Sequence, residues 1–248
     1  MSKKQTIQND AKLLCFDLET TGFEANRGHI ICAAAKWVGD EYIYSWRIDE
    51  TPGYRDTAES FFNDGEMVEE LVAMCNEADA VIAYYGDYGR FDVPYLNTRA
   101  VANGLSPTAP LTVIDPHRTA RRTLKLARNS LDAVATLLKT PHQKQHLPWP
   151  DWEVARFGSS KAITKLVEYC ENDVLVLEDV YIALRPLIKN HPYVGGALSG
   201  PDEVESCPAC GSTKTEGNGT RRTKNFIIHR RRCRNCGSVF EGTRKKVR

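Results

Sequence analysis

Three stretches of this chain place carboxylates where they could hold a cation. In Lys12-Leu-Leu-Cys-Phe-Asp17-Leu-Glu19-Thr20 an apolar run leads to two acidic residues in alternate positions. Side chains of a strand repeat with period two, so Asp17 and Glu19 share one face. Like charges so placed repel unless a cation lies between them, and hard divalent ions such as Mg²⁺ take oxygen ligands. Asp92, in Phe91-Asp92-Val-Pro-Tyr95, follows a Gly-containing turn and opens a helical pattern. Asp173 stands four residues after Tyr169, which puts both on one helix face.

A second set of ligands is made of thiols. Cys207-Pro-Ala-Cys210-Gly and Cys233-Arg-Asn-Cys236-Gly are two Cys-x-x-Cys turns with 22 residues between them. Each turn can present two thiolates to one ion, and four thiolates suit one structural, tetrahedral Zn²⁺. The start of the chain has no apolar core of a signal peptide, which favours metal over disulfides and predicts a cytoplasmic protein. The other cysteines, Cys15, Cys32, Cys75 and Cys170, sit among apolar neighbours and read as buried free thiols. His229 reads as a surface residue beside a complete ligand set.

Elements must bring these groups together. Residues 12–18, 29–38 and 41–48 read as strands joined by short links, hence an antiparallel meander. Helical spacing over 64–78 is followed by a buried strand at 79–84, a helix from Asp92 to Asn103 and a strand at 111–115. Ser130 caps a helix, residues 141–152 with three prolines read as a loop, and Ile163 to Leu184 carry one apolar stripe. The pattern predicts an α/β fold with a mixed sheet flanked by helices. Asp115 and Asp132, at a strand end and a helix start, read as structural.

The 248 residues suffice for one substantial domain and a small module, and no apolar run reaches membrane-spanning length. A net charge of +1 conceals an asymmetry: residues 201–248 hold 12 of the 33 Lys and Arg but 5 of the 32 Asp and Glu. A basic tail on an acidic body suggests a polyanionic partner. Arg221, Arg222, Lys224, Arg230, Arg231 and Arg232 crowd between the two cysteine turns, with Phe226 among them. They read as phosphate contacts, with a protein-docking module as the other use of such a fold. Glycines and prolines between 191 and 206 mark a linker.

The segments Phe16-Asp-Leu-Glu-Thr20, Phe91-Asp-Val-Pro-Tyr95 and Tyr169-x-x-x-Asp173 resemble the three exonuclease motifs of the DEDD superfamily, in its tyrosine branch. The likeness covers about residues 11–190 and is greatest to proofreading domains of family B DNA polymerases and to stand-alone ribonuclease H-like exonucleases. It implies a ribonuclease H-like domain at 1–190, a linker at 191–206 and a basic zinc ribbon at 207–248. It implies two Mg²⁺ or Mn²⁺ ions about 4 Å apart, with Asp17 bridging them and Glu19, Asp92 and Asp173 completing their coordination. Tyr169 would orient the attacking water. Thr20, Thr21, Gly22 and Phe23 would contact the terminal nucleotide, and Tyr88 and Phe91 are further candidates for base contact.

The expected activity is 3′→5′ exonucleolytic hydrolysis of single-stranded ends, DNA favoured over RNA on the polymerase-like motifs. A ribonuclease trimming RNA ends, or an inactive nucleic-acid-binding or adaptor protein, is the alternative. A replication or repair partner docking on the ribbon is a further expectation. One position departs from the family: Asp87 stands where the polymerase-type motif has asparagine, with Arg90 close enough in sequence to offset its charge.

Overall fold

The computed structural model describes residues 12–52, 54, 63–85, 91–188, 191 and 206–247. Asp87, Tyr88, Arg90 and nearly all of the predicted linker lie outside them. Two compact units result, Lys12–Ala183 and one that includes Leu184–Arg248.

The first unit is a five-stranded sheet with helices. β1 (Leu13–Thr20) pairs antiparallel with β2 (Ile30–Trp37), and β2 with the short β3 (Tyr44–Arg47). The chain then crosses through α1 (Gly65–Glu77) to β4 (Ala80–Ile82), parallel to β1, and through α2 (Asp92–Ala102) to β5 (Val113–Ile114). The strand order β3-β2-β1-β4-β5 makes β1 the central strand. Parallel neighbours need such crossovers, and the mixed sheet follows from a meander succeeded by strand–helix alternation. Seven of the eight β1 residues are buried, while Asp17 is half-buried.

Three short helices follow: α3 (Pro116–Thr123), α4 (Leu131–Leu138) and α5 (Trp149–Arg156). Asp115 caps α3 by accepting from the His117 N–H at 2.9 Å, and Ser130 Oγ caps α4 from Ala133 at 3.3 Å. The loop expected through residue 152 ends earlier, because α5 starts at Trp149. Its prolines occupy the N-cap and first turn, where a missing N–H breaks no helical bond. The long helix α6 (Ser160–Leu184) buries Ile163, Leu166, Cys170, Val174, Leu177, Tyr181 and Leu184, leaving Val167 of the predicted stripe half-buried. Each large apolar side chain so covered contributes about 1.5–3 kcal/mol.

A buried ion pair sets α6 on the sheet. Lys36 Nζ of β2 donates to Glu178 at 2.6 Å, and the other Glu178 oxygen accepts from Gly39 N at 2.7 Å. Desolvation offsets most of the attraction in such a pair, but a slipped helix would leave both charges buried and unpaired.

In the second unit β6 (Thr215–Arg222), β7 (Phe226–Cys233) and β8 (Val239–Lys246) form an antiparallel sheet in the order β6-β7-β8. Two of these strands lie between the cysteine turns and the third follows the second turn. Its buried cluster is Cys207, Ala209, Cys210 and Cys233, with Cys236 and Phe240 packed on it. Among the described residues no helix is long and apolar enough to cross a membrane.

Candidate metal centres

β1 delivers the first two carboxylates on one face, as alternation requires. Asp17 lies opposite Ala34 and Glu19 opposite Cys32 on β2, so small partners leave room beside them. From α6, the Cys170 thiol reaches the Asp17 carbonyl at 3.5 Å and its carboxylate at 3.6 Å. Burial raises the Cys170 pKa, so the group remains a thiol and can donate. One turn further along α6, Asp173 meets the strand pair. Asp17, Glu19 and Asp173 each offer an oxygen within 4.8 Å of the others.

Asp92 lies outside that trio, yet the charge of Asp17 is felt at its carboxyl. It is buried in the first turn of α2, where the helix dipole favours an anion. Burial raises the pKa of all four carboxylates, with like-charge repulsion adding for Asp17, Glu19 and Asp92; Asp17 is pushed up to about 7. Asp173 Oδ1 is buried with no hydrogen-bond partner among the described residues. Oxygen donors that repel one another, one of them unsatisfied, fit hard divalent cations.

Lys144 is the member that motif reading missed. Its ammonium donates to Asp173 Oδ2 and sits 4.7 Å from the Tyr169 ring centroid. A lone lysine in a proline-flanked stretch carries no signal, since only folding brings residue 144 to α6. Its loop is held there by Asn172 Nδ2, which donates to the Gln143 carbonyl at 3.1 Å, and by Asp179, which accepts from His142 N at 2.9 Å. Burial, then Asp173, raises the Tyr169 pKa to about 12, so its hydroxyl keeps its proton near neutral pH.

The expected terminal-nucleotide contacts occupy the loop after β1. Thr20 is buried and donates to the Gly22 carbonyl at 2.9 Å, whereas Phe23 is 92% exposed and meets Phe91 edge-on at 6.2 Å.

The four cysteines of the second unit also converge, with all sulfurs within 4.8 Å of one another. Cys207–Cys236 and Cys210–Cys233 are each 3.6 Å apart, far beyond a disulfide bond of about 2.05 Å. A tetrahedron with Zn–S of about 2.3 Å has edges of about 3.8 Å, so the spacing fits zinc. The two turns repeat one hydrogen-bond pattern: Gly211 N to Cys207 O at 2.8 Å, and Gly237 N to Cys233 O at 3.0 Å. Both glycines have positive φ, 70° and 77°, which a side chain would strain. His229 stands apart from this cluster.

On the same unit Arg221 is paired with Glu241, and Arg231 donates to Thr215 Oγ1 at 2.7 Å. Arg222, Lys224, Arg230 and Arg232 are exposed or partly so.

A family model described as the RNase H superfamily matches residues 14–185. The chain belongs to that superfamily. A DNA polymerase of Thermococcus litoralis is 34% identical over 101 residues, 39% of this chain and 6% of the polymerase. This chain therefore spans a small part of that relative. Among solved structures, Brucella melitensis NrnC aligns over 74% of this chain and 76% of its own, with 21% identity and a TM-score of 0.44. A structure described as the apo form of a nuclease aligns over the same shares, with 20% identity and a TM-score of 0.45. The RNase H superfamily domain carries the carboxylate cluster, and the basic unit carries the four cysteines.

Proposed function

We propose that this RNase H superfamily member is a two-metal-ion 3′→5′ exonuclease of single-stranded ends. The observation that carries the reading is the convergence of Asp17, Glu19 and Asp173, with oxygens within 4.8 Å of one another. Together with Asp92 they would hold two Mg²⁺ or Mn²⁺ ions. Such ions, when bound, supply an activated water and stabilise charge on the leaving 3′ oxygen.

The chain's own groups do the rest. Tyr169 stays protonated, so it serves as a hydrogen-bond donor that orients the nucleophile and not as a base. Lys144 stays charged, offsets the anionic cluster, and presents a cation to a phosphate entering beside Asp173. The 3′→5′ polarity and the tyrosine-branch roles rest on the motif resemblance. DNA is favoured over RNA because the motifs and the identity to a DNA polymerase agree.

Domain assignment follows the same reading: an exonuclease domain at 1–190, a linker at 191–206 and a basic zinc ribbon at 207–248. The ribbon raises affinity for the strand through Arg222, Lys224, Arg230 and Arg232, with Arg221 and Arg231 braced by intramolecular bonds.

Matched 5′-labelled DNA and RNA strands, incubated with Mg²⁺ or Mn²⁺, test activity, polarity and sugar preference together. The expected result is a ladder shortened from the 3′ end, stronger for DNA and absent with Asp17→Ala. Intact strands with the wild type would leave a nucleic-acid-binding protein; a ladder undiminished in Asp17→Ala would place the chemistry elsewhere.

A further inference from the structure

Cys170 fills an unspecified position of the Tyr169-x-x-x-Asp173 segment. A buried cysteine in an apolar stripe is ordinarily a small hydrophobe with a weak S–H donor. Cys75 on α1 is that ordinary case: it is fully buried, and burial is the only influence on its thiol. Cys170 is equally buried but has polar company. Its thiol reaches the Asp17 carbonyl at 3.5 Å and the Asp17 carboxylate Oδ2 at 3.6 Å, and Cys32 of β2 is a further hydrogen-bond neighbour.

These contacts fall where the sheet opens. β4 pairs with β1 only at Leu13, Leu14 and Cys15, so from Phe16 onward β2 is the one strand neighbour of β1 among the described residues. On that stretch two helices supply side chains to the strand. The Asp92 carboxylate of α2 accepts from the Leu18 N–H, and the Cys170 thiol of α6 donates to Asp17. Cys170 and Asp173 stand three apart, so they are neighbours on one face of α6. One turn of that helix therefore brings an oxygen to the trio of Asp17, Glu19 and Asp173, and a donor to the first member of the same trio.

A carboxylate has a broad torsion about its last bond, so strand geometry alone does not aim it. Among the described residues Asp17 makes no ion pair, and Cys170 is the side chain that donates to its carboxylate. A carboxylate oxygen has two lone pairs, so Oδ2 can accept the thiol and still face a cation. Full burial of the sulfur keeps water from taking over as the donor.

We propose that Cys170 is a positioning residue for the metal centre. Its thiol fixes the main chain and the carboxylate of Asp17 together, and so sets the direction in which that ligand faces the ions. One turn of α6 thereby registers Asp173 and Asp17 against each other. The thiol itself neither ligates an ion nor touches the substrate. This inference rests on the exonuclease reading for its metal, while the hydrogen bond needs none.

The test uses the full chain as purified. Mn²⁺ binding is read from the electron paramagnetic resonance of the free ion, and the S–H stretch from infrared difference spectra. An S–H band of the wild type should shift when Mn²⁺ is added and should shift in Asp17→Ala, where the carbonyl acceptor alone remains; Cys170→Ala should remove that band. Cys170→Ala should also bind Mn²⁺ about tenfold more weakly, the low end for loss of a group that orients a ligand. Its kcat for strand degradation should fall with KM unchanged. A lower melting temperature at unchanged Mn²⁺ affinity overturns the proposal and returns Cys170 to packing. S–H bands indifferent to both Mn²⁺ and Asp17→Ala overturn the hydrogen bond, and that comparison needs no cysteine variant to fold. A wild type that binds Mn²⁺ with the band shift but degrades no strand defeats the exonuclease reading and leaves the positioning role standing.

Discussion

The thiol cluster of the second unit and the carboxylate cluster of the RNase H-like unit both gather groups that repel one another once ionised. They manage that repulsion differently. The thiols stand at the centre of a small buried cluster, formed by Cys207, Ala209, Cys210 and Cys233 with two partly buried neighbours. A core so small cannot offset chain entropy, so the ion it would bind is also its folding nucleus. The carboxylates sit on a sheet already closed by apolar packing, and Lys144 supplies an internal counter-charge at Asp173. On the proposed reading one centre would depend on its metal to exist as a structure, whereas the other would exist first and use metal for chemistry.

The comparison can be broken at several points. The largest effect is expected from removing zinc, since such sites contribute on the order of 10–16 kcal/mol of apparent free energy. A strong chelator, or Cys233→Ala, should leave residues 206–247 open to proteolysis while the melting of the RNase H-like unit stays in place. Protection of that segment without zinc would deny the ribbon its metal-dependent core. Elemental analysis should give one zinc per chain.

Asp17→Ala should lower strand degradation on the order of a thousandfold, about 4 kcal/mol of transition-state stabilisation. Zinc content and folding should not change, because the central strand sheds a repelling charge and keeps its apolar packing. A smaller loss, within tenfold, would move the chemistry away from β1.

Lys144→Met should come next. Without it Asp173 keeps a buried charge with no cation, and the metal-free protein should lose about 2 kcal/mol, discounted for the partial exposure of the pair. Mn²⁺ should then bind more tightly and raise the melting temperature further than in wild type. Equal Mn²⁺ affinity in the two proteins would show that Lys144 and the cation do not share Asp173.

The smallest effect is expected from Arg230→Ala with Arg232→Ala. Affinity for single strands should fall several-fold, and the salt slope by about one for each phosphate that is no longer neutralised. A slope identical to wild type would turn the ribbon's basic face into a docking surface for protein.

What could be read in advance differed between the two units for a physical reason. The ribbon's ligands lie in two local turns with glycines at the positive-φ positions, so spacing alone nearly specifies the site. In the other unit, alternation put Asp17 beside Glu19, and helical spacing put Tyr169 and Asp173 on one face. The α6 stripe, the Ser130 cap and the antiparallel order of β1, β2 and β3 were legible in the same way. The start of α5 was not, because prolines mark a helix's first turn and a loop alike. Nor was the third strand of the ribbon, where only Val239 and Phe240 are apolar and the strand ends in three consecutive basic residues.

The sequence by itself determined the ligand types, their local spacing and the periodicities that place them on strand, helix start and helix. Those are properties of neighbours, set by backbone geometry within a few residues. Tertiary structure alone decided what lies across from them: Lys144 against Asp173, and the Cys170 thiol against Asp17. Such meetings span up to 153 positions of chain. They depend on how α5, α6 and their loops settle on the sheet, and no local pattern encodes that distance.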